Sequence, residues 1–501
     1  MTIAASAQDA SVGYPLSPKT RQFLAQACLG HLIDGKFVPS ANGATMPVVD
    51  PNTGAEFARV AQGSPAEVEL AVGAARRAFE DGRWRHLHPN KKEAVLRRLG
   101  ALLEDNRDVL MDLDMLDGGI IRSQTPFFVQ FGIDVTNYYA GWPTKIEGRM
   151  SPTGPDVVVQ QVREPLGVCA VIMPWNAPSA VPLGVVAPIA CGNSIILKPA
   201  EQTPLTAIFF GGLCEQAGLP AGVINIVHGL GGTVGAALVE HREVDAISFT
   251  GSVETGRGIQ AAAAKQLKRV SLELGGKSPQ IVFADADLDA AANAAAWAVW
   301  GHSGQICTAG SRVLVNRAIH DEFVARMVDA SRALTIGSCF DAETCIGPVI
   351  SQKQLDQVTR YVELGKAEGA HLALGGARHG EKGFFFEPTI FTAVSNRMKI
   401  AQEEIFGPVM AVIPFDTDEE AYAIANDTTF GLAAGVWTRD LGRAHRASQR
   451  LKVGTVWINT YQLNETSVPY GGVKQSGFGR SLGAVSIEEF TQVKSVWINA
   501  A

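Results

Sequence analysis

The chain lacks the features that mark several broad classes of protein. Its 501 residues contain no stretch that approaches the ~18 consecutive apolar residues of a membrane-spanning helix. The net charge is −7 and there is no long basic run, so neither nucleic acid nor an anionic membrane is an expected partner. Internal repeats and low-complexity tracts are also missing. A globular protein of about three domains is predicted from the length.

Signals for metal binding and export are missing too. The seven cysteines form neither a CxxC pair nor a zinc-type cluster, so no metal site is expected. The segment from Met1 to Thr20 has no basic region followed by an apolar one, and it predicts a loose tail instead of an export signal. Reduced thiols and a cytoplasmic location are the resulting predictions.

Apolar strands that alternate with helical stretches predict an α/β fold. From Gly167 onward, the strands VCAVIM, SIILK, VINIV and AISF alternate with helices, which is typical of a parallel sheet. A second series contains QIVFA, a helix from Asp287 to Trp300, RVLV, and a helix from Ile319 to Leu334. Nearer the N-terminus, Ser64 to Glu67 predict a capping box at a helix start, and Lys91 to Leu110 predict a second helix.

Two strand-like segments lie outside this alternation. One is VVVQQV, which begins at Val157, and the other is FTQVKSVWIN near the C-terminus. They are expected to pair with each other or with another subunit. The predicted architecture is two α/β blocks with an outlying β ribbon.

Four strand ends in the first block are candidates for ligand binding, because doubly wound sheets bind ligands at the carboxyl ends of their strands. These ends are Met173-Pro174-Trp175-Asn176, Lys198-Pro199-Ala200-Glu201, His228 to Gly235, and Phe249-Thr250-Gly251-Ser252. Their glycines do not fit GxGxxG, because Val234 occupies the last glycine position, and Arg257 breaks the P-loop pattern. Plain turns and a phosphate or dinucleotide site both remain open.

Lys198 and Glu201 favour the dinucleotide interpretation. A carboxylate just beyond a strand end can accept hydrogen bonds from ribose hydroxyls, and it repels a 2′-phosphate. The alternative is a surface Lys and Glu at the start of a helix.

Glu273 and Cys307 are candidates for the chemistry. Glu273 lies in VSLELGGKSP between two leucines, where desolvation would raise its pKa towards the range of a general base, unless it points outwards. Cys307 lies among small and polar residues in GHSGQICTAGSR, which suits an accessible nucleophile better than a packing residue. Asn176 could donate its amide to an oxyanion. His302 offers a rival Cys–His dyad.

Seven motifs in order resemble those of the aldehyde dehydrogenase superfamily. They are PWNAP, KPAEQTP, FTGSVETG, LELGGKSP, GQICTAGSR, EEIFGPV and PYGGVKQSGFGR, and the resemblance extends from about Gly30 to the end of the chain. It implies a Rossmann-like doubly wound NAD domain, a second α/β catalytic domain and a small β oligomerisation ribbon. The implied ranges are 1–142 and 165–275 for NAD binding, 276–472 for catalysis, and 143–164 with 473–501 for the ribbon and C-terminal arm.

The resemblance implies NAD-dependent oxidation of an aldehyde to a carboxylic acid. Cys307 would form a thiohemiacetal and then a thioester, Asn176 and the Cys307 backbone N–H would hold the oxyanion, and Glu273 would activate the hydrolytic water. Lys198 is counted with these catalytic residues and with the adenosine-ribose contacts. The implied cofactor residues are Ile172, Met173, Pro174, Trp175, Lys198, Glu201, Gly231, Gly235, Phe249, Thr250, Gly251, Ser252, Leu274, Gly275, Glu404 and Phe406.

Two positions depart from a common pattern of this family. Ser481 stands where many members have a Glu that can act as an auxiliary base, so Glu273 is expected to work alone. Gln492 replaces a common Glu near the subunit interface, although a homodimer or homotetramer is still expected.

The motif positions also predict a substrate pocket. It comprises Ala177, Gly184, Trp300, Gly301, Gln462, Asn464 and Tyr470. Its space and aromatic walls favour a medium-sized or aromatic aldehyde, and no Arg is placed for a substrate carboxylate. NAD is expected over NADP because of Glu201. The rivals are an enzyme that passes the acyl group to coenzyme A, which Glu273 disfavours, and an inactive binding protein.

Overall fold

Within residues 13–26 and 29–499, which the computed structural model describes, strands and helices largely alternate after the first 150 residues. The strands are β1 (His31–Ile33), β2 (Lys36–Val38), β3 (Thr45–Val49), β4 (Glu56–Ala61), β5 (Arg149–Ser151), β6 (Val157–Pro165), β7 (Val168–Ile172), β8 (Ser194–Lys198), β9 (Ile224–Ile226), β10 (Ala246–Gly251), β11 (Arg269–Leu274), β12 (Pro279–Val282), β13 (Arg312–Asn316), β14 (His371–Leu374), β15 (Thr389–Thr392), β16 (Val409–Phe415), β17 (Ala433–Trp437), β18 (Thr455–Ile458), β19 (Gly477–Phe478) and β20 (Thr491–Asn499). The α-helices are α1 (Pro18–Leu24), α2 (Pro65–Glu80), α3 (Pro89–Asp105), α4 (Arg107–Leu116), α5 (Thr125–Ala140), α6 (Pro182–Ala190), α7 (Leu205–Ala217), α8 (Ala236–Glu240), α9 (Val253–Ala264), α10 (Leu288–Trp300), α11 (His320–Arg332), α12 (Gln352–Ala367), α13 (Lys399–Gln402), α14 (Asp418–Asn426), α15 (Leu441–Arg450) and α16 (Val485–Glu489). None of these helices is long and apolar enough to cross a membrane.

The first sheet is doubly wound. Its eight strands run in the order β19-β11-β10-β7-β8-β9-β1-β2, and the five from β11 to β9 are parallel. Strand β7 shows why both faces are covered: Cys169 and Val171 pack with α3, α5, α6 and α7, whereas Val168, Ala170 and Ile172 pack with α2, α8 and α9. The unbroken apolar run of this strand is what a sheet buried on both faces requires.

The second sheet has the same design. Its seven strands run in the order β14-β15-β16-β13-β12-β17-β18, with only β14 antiparallel to its neighbour. Helices α10 and α11 cover one face, and α12, α14 and α15 cover the other. The mixed α/β class with parallel sheets, predicted from the strand–helix alternation, is confirmed.

The two outlying segments pair with each other. Strand β20 lies antiparallel to β6 over nine residue pairs, from Thr491 opposite Pro165 to Asn499 opposite Val157, and β5 adds a third strand. Strand β19, by contrast, pairs with β11 of the first sheet. The division of the chain into NAD-binding, catalytic and ribbon ranges stays a prediction.

Two local predictions were wrong and one was confirmed. The helix expected from Lys91 to Leu110 is two helices, because Asn106 leaves the helical conformation and its amide donates to the Leu102 carbonyl oxygen. Residues 13–20 are not a loose tail: Ser17 caps α1, and the Tyr14 ring stacks on Phe340. Residues 1–12, 27–28 and 500–501, including Cys28, lie outside the described residues. At α2, the predicted capping box is present.

Candidate active site

The loop that carries Cys307 leads from α10 into β13, and it is held in an unusual conformation. His302 and Ser303 have positive φ angles of 44° and 53°, which cost energy in residues with a Cβ. The His302 backbone N–H donates to Gln124 Oε1 at 2.9 Å, and Ser303 Oγ donates to the Gly347 carbonyl oxygen at 2.7 Å. A Cβ on Gly304 would lie 2.1 Å from the Gly407 carbonyl oxygen, so this position requires glycine.

The Cys307 thiol lies at the wall of a cavity of about 340 Å³. Its Sγ lies 3.0 Å from the Tyr470 hydroxyl. Burial raises the pKa of the thiol to about 11, and the Tyr470 hydrogen bond acts in the opposite direction. Cysteines 169, 191, 214 and 339 are buried, as expected of packing residues, whereas Cys345 is exposed.

Asn176 follows β7 and reaches the same cavity. Its Nδ2 donates to the Gln305 carbonyl oxygen at 2.9 Å, two residues before the cysteine. A primary amide carries two N–H groups, so this bond leaves a second donor. The amide is therefore fixed against the loop that carries Cys307, with a second N–H available.

Glu273 lies near the end of β11, between β10 and the short edge strand β19, and its side chain lines the cavity. The residue is only 8% exposed, and burial raises the pKa of its carboxyl to about 8. Arg480 and Ser481 act to lower that pKa, but burial outweighs them. The desolvated carboxyl, and not the outward-pointing alternative, is what the structure contains.

His302 does not form the rival dyad. Its ring is 3% exposed and lies edge-on to Phe128, with the ring centroids 6.0 Å apart. Neither ring nitrogen makes a hydrogen bond of standard geometry with a described residue. Burial lowers the pKa of this imidazole to about 4, so the ring is a weak base, and it makes no hydrogen bond through which it could take the thiol proton.

Lys198 and Glu201 come together at the end of β8. The Lys198 ammonium is buried, donates to the Pro199 carbonyl oxygen at 2.8 Å, and lies 3.5 Å from Glu201 Oε2. Burial lowers the pKa of this lysine, and Glu201 opposes that effect. Gly235 lies beside them, because a Cβ placed on it would lie 3.7 Å from the Lys198 side chain. Three of the predicted cofactor residues thus form one group.

The other predicted cofactor residues lie at neighbouring positions around the strand ends. Gly231 to Gly235 form a π-helical turn, and a Cβ on Gly231 would meet open space. Ser252 caps α9 by accepting from the Thr255 backbone N–H, so α9 begins directly after β10 with its N-terminus at this edge of the sheet. Met173, Pro174, Thr250 and Leu274 line the same cavity as Cys307, whereas the side chains of Ile172 and Phe249 are buried in the core. These last two would reach a ligand only through their backbone.

Glu404 and Phe406 approach these strand ends from the second block. Glu404 Oε1 accepts from the Gly276 backbone N–H at 3.0 Å, and a Cβ on Gly275 would lie 2.0 Å from Glu404 Oε2. Phe406 has a φ of 57° and lies edge-on to Trp175, with the ring centroids 5.2 Å apart. Trp175 and Phe406, which are 231 positions apart along the chain, therefore meet here.

The structure brings most of the residues predicted for a substrate pocket to the same cavity. Ala177, Gly184, Gln462, Asn464 and Tyr470 line the cavity. Trp300 and Gly301 do not: Trp300 packs in the core against α11 and donates from its indole Nε1 to Ser331 Oγ at 3.0 Å. Trp297, one turn earlier on α10, lines the cavity instead and is 50% exposed.

Sequence reasoning missed an aromatic wall on α5. Phe127, Phe128 and Phe131 line the cavity, and the spacing of Phe127 and Phe131 places them on one face of the helix. That spacing was the available signal. Arg480 also lines the cavity, but its guanidinium donates to the carbonyl oxygens of Gly472 and Gly479, at 2.8 and 2.7 Å.

Comparison with known proteins identifies the family. A profile of the aldehyde dehydrogenase family matches residues 37–496. The chain belongs to the aldehyde dehydrogenase family. An aldehyde dehydrogenase of Emericella nidulans is 44% identical over 473 residues, which are 93% of this chain and 94% of that protein. Human retinal dehydrogenase 2 is 44% identical over 475 residues, covering 93% of this chain and 91% of the human one.

Solved structures agree with this assignment. The structure of an aldehyde dehydrogenase from Bacillus cereus, described as an NAD+ complex, is 42% identical and superposes with a TM-score of 0.96 over 97% of this chain and 100% of the other. The predicted aldehyde dehydrogenase fold is thereby confirmed. This aldehyde dehydrogenase is an oxidoreductase, and aldehyde oxidation is its class of reaction.

Proposed function

We propose that this aldehyde dehydrogenase oxidises a medium-sized or aromatic aldehyde to its carboxylic acid with NAD, through a covalent intermediate on Cys307. The observation that carries the proposal is the convergence of the Cys307 thiol, the Asn176 amide and the Glu273 carboxyl on one cavity. A nucleophile, an oxyanion donor and a base are the three groups that oxidation to a free acid requires.

The residues at the strand ends suit a dinucleotide. The Lys198 ammonium uses one N–H on the Pro199 carbonyl oxygen and a second on Glu201, which leaves the third for a ribose hydroxyl. Gly231 and Gly232 offer open backbone beside it, where phosphate oxygens could approach. Glu201, a carboxylate that is 38% exposed, favours NAD over NADP because it repels a 2′-phosphate. When bound, NAD would supply the oxidant, taking a hydride from the substrate carbon.

The chain's own residues perform the covalent steps. The Cys307 sulfur anion attacks the aldehyde carbon, and the resulting thiohemiacetal oxyanion accepts hydrogen bonds from Asn176 Nδ2 and the Cys307 backbone N–H. After oxidation, the acyl group is a thioester on Cys307. Glu273 then takes a proton from water as its oxygen attacks the thioester carbonyl, and Cys307 leaves as the thiolate.

The cavity walls support the substrate class. Phe127, Phe131, Trp297 and Leu463 present apolar surface, which binds an alkyl or aromatic group by burial. Arg480 is the basic side chain on the lining; its Nη1 donates to two backbone carbonyl oxygens, and its charge acts on Glu273, where it lowers the pKa of that carboxyl. A carboxylate-bearing aldehyde is therefore a less suitable substrate.

The three-stranded ribbon supports the proposed homodimer or homotetramer. Met150, Val493 and Trp497 are 71%, 56% and 69% exposed, so the ribbon carries apolar surface that a second subunit would cover. Light scattering coupled to gel filtration tests this, and a monomer would contradict it. The cytoplasmic location stays a prediction.

The decisive experiment is an aldehyde panel monitored by NADH formation. Aliphatic aldehydes of increasing length, benzaldehyde derivatives and semialdehyde acids are compared with NAD and with NADP, in the presence and absence of coenzyme A. We expect turnover without coenzyme A, the lowest KM values for apolar aldehydes, and no turnover by Cys307→Ser. Turnover that depends on coenzyme A would replace the hydrolytic proposal with acyl transfer. No turnover on any aldehyde would favour a binding role.

A further inference from the structure

The hydroxyl of Tyr470 lies 3.0 Å from the Cys307 sulfur, although the two residues are 163 positions apart. The tyrosine is held by its backbone: its N–H donates to the Ser481 carbonyl oxygen at 2.7 Å, and the Ser481 N–H donates back at 2.8 Å. This pair is an isolated β-bridge, so it holds the backbone from which the ring projects. The contact with sulfur therefore starts from a fixed main chain.

The direction of this hydrogen bond depends on the charge of the sulfur. While Cys307 is a thiol, either atom can donate. Once the thiol has lost its proton to water, the sulfur is only an acceptor, and the bond survives only if the phenol donates. Burial and the neighbouring thiol raise the pKa of Tyr470 well above its usual value, so the hydroxyl keeps its proton wherever the enzyme works.

Apart from the Thr308 backbone N–H, whose hydrogen bond lowers the pKa of the thiol, the other surroundings oppose the sulfur anion. Burial and the carboxyl groups of Glu404 and Glu273 all raise the pKa of Cys307. The ring nitrogens of His302, the nearest imidazole in sequence, make no hydrogen bond to the sulfur. Among the described residues, Tyr470 is the one side chain that hydrogen-bonds to Sγ.

We propose that Tyr470 is a further catalytic residue. Its hydroxyl donates a hydrogen bond to the Cys307 sulfur anion before the aldehyde binds, and this bond stabilises the thiolate that attacks the substrate. The inference rests on the proposed role of Cys307. It concerns the free enzyme, where neither cofactor nor substrate is needed for the contact. A hydrogen bond to a charged acceptor is stronger than one between neutral groups. Removal of the Tyr470 hydroxyl should therefore destabilise the thiolate more than the thiol.

Alkylation of Cys307 by iodoacetamide across a pH series tests the proposal without cofactor or aldehyde. Tyr470→Phe keeps the ring and removes the donor. We expect its apparent thiol pKa to rise by roughly one to two pH units and its alkylation at neutral pH to slow by roughly 10- to 100-fold. At high pH, where the thiol ionises in both proteins, the rates should converge. Cys307→Ser identifies the alkylated thiol.

Tyr139→Phe is the matched control. It also removes one tyrosine hydroxyl bond, from Tyr139 to the Gly483 carbonyl oxygen at 3.1 Å, but it does not touch the sulfur. Its alkylation profile should equal that of the wild type. Equal profiles for Tyr470→Phe and wild type would overturn the inference.

A second replacement covers the case in which Tyr470→Phe does not fold. Site-specific incorporation of 3-fluorotyrosine at position 470 retains the shape and makes the hydroxyl more acidic, so it should lower the apparent thiol pKa. No change, or a rise, would overturn the inference. If Cys307→Ser retained aldehyde turnover, the proposed function itself would fail. If Cys307→Ser were inactive but the apparent pKa of the thiol did not change in the Tyr470 variants, only this inference would fail.

Discussion

The Asn176 amide is bonded to the backbone of the nucleophile loop: its Nδ2 donates to the Gln305 carbonyl oxygen at 2.9 Å. Gln305 is itself fixed, because its side chain donates to the His302 carbonyl oxygen at 3.1 Å and accepts from the Ile350 N–H at 2.8 Å. One amide N–H of Asn176 thus orients the other. A donor held before the reaction costs little reorganisation when charge develops on the substrate oxygen.

Replacing Asn176 by alanine is expected to lower kcat by about 10²–10³-fold, because one oxyanion donor is lost. Steady-state NADH formation with a good aldehyde measures this. Asn137→Ala, which removes an exposed amide on α5, is the control and should retain wild-type kcat. A kcat of Asn176→Ala within a few-fold of wild type would remove Asn176 from the oxyanion role.

Glu273→Gln separates acylation from hydrolysis. The amide cannot take a proton from water, so the thioester on Cys307 should accumulate. Stopped-flow measurement is expected to show a burst of about one NADH per active site, followed by turnover roughly 10²–10⁴-fold slower than that of the wild type. Cys307→Ser should show no burst. Normal steady-state turnover in Glu273→Gln would assign the base elsewhere.

The pH dependence of hydrolysis follows from the same carboxyl. Burial raises the pKa of Glu273 to about 8, and the base is the ionised form, so thioester hydrolysis should accelerate as pH rises through about 8 and then level off. Single-turnover hydrolysis of the acylated enzyme isolates this step from thiol ionisation. In Glu273→Gln the rise should disappear. A wild-type rate that falls over this range would contradict the assignment.

Local pattern predicted the strands and their ends, but not the directions of all side chains. Strand β7 is an unbroken apolar run, and Ser64 with Glu67 satisfies a capping box within four residues, so both could be inferred locally. The direction of the Trp300 side chain could not be predicted, because its indole packs on another helix and donates to Ser331 there. The contact between Tyr470 and Cys307 likewise could not be predicted locally, because the two residues are 163 positions apart and the backbone of Tyr470 is held by its bridge to Ser481.

Trp297 and Trp300 allow the pocket correction to be tested by a pair of variants. Trp297→Ala removes apolar surface from the cavity and is expected to raise KM for aromatic aldehydes by roughly 5- to 20-fold, with little effect on acetaldehyde. Trp300→Ala removes a 3% exposed side chain from the core and is expected to lower the free energy of unfolding by about 3–5 kcal/mol. Thermal or denaturant unfolding measures the second effect. If Trp300→Ala raised KM and Trp297→Ala lowered the free energy of unfolding, Trp300 and not Trp297 would line the pocket.

Glu201→Ser tests the source of the cofactor preference. The wild-type carboxylate, 38% exposed and 3.5 Å from the buried Lys198 ammonium, should bind ribose hydroxyls and repel a 2′-phosphate. Serine removes the negative charge and the strong acceptor, so KM for NAD should rise by roughly tenfold and KM for NADP should fall. Glu80→Gln removes an equal charge from the exposed end of α2 and should change neither constant. Since Lys198 remains in both proteins, a shift confined to Glu201→Ser would attribute the preference to this carboxylate; unchanged KM values would place the selection for NAD at another residue.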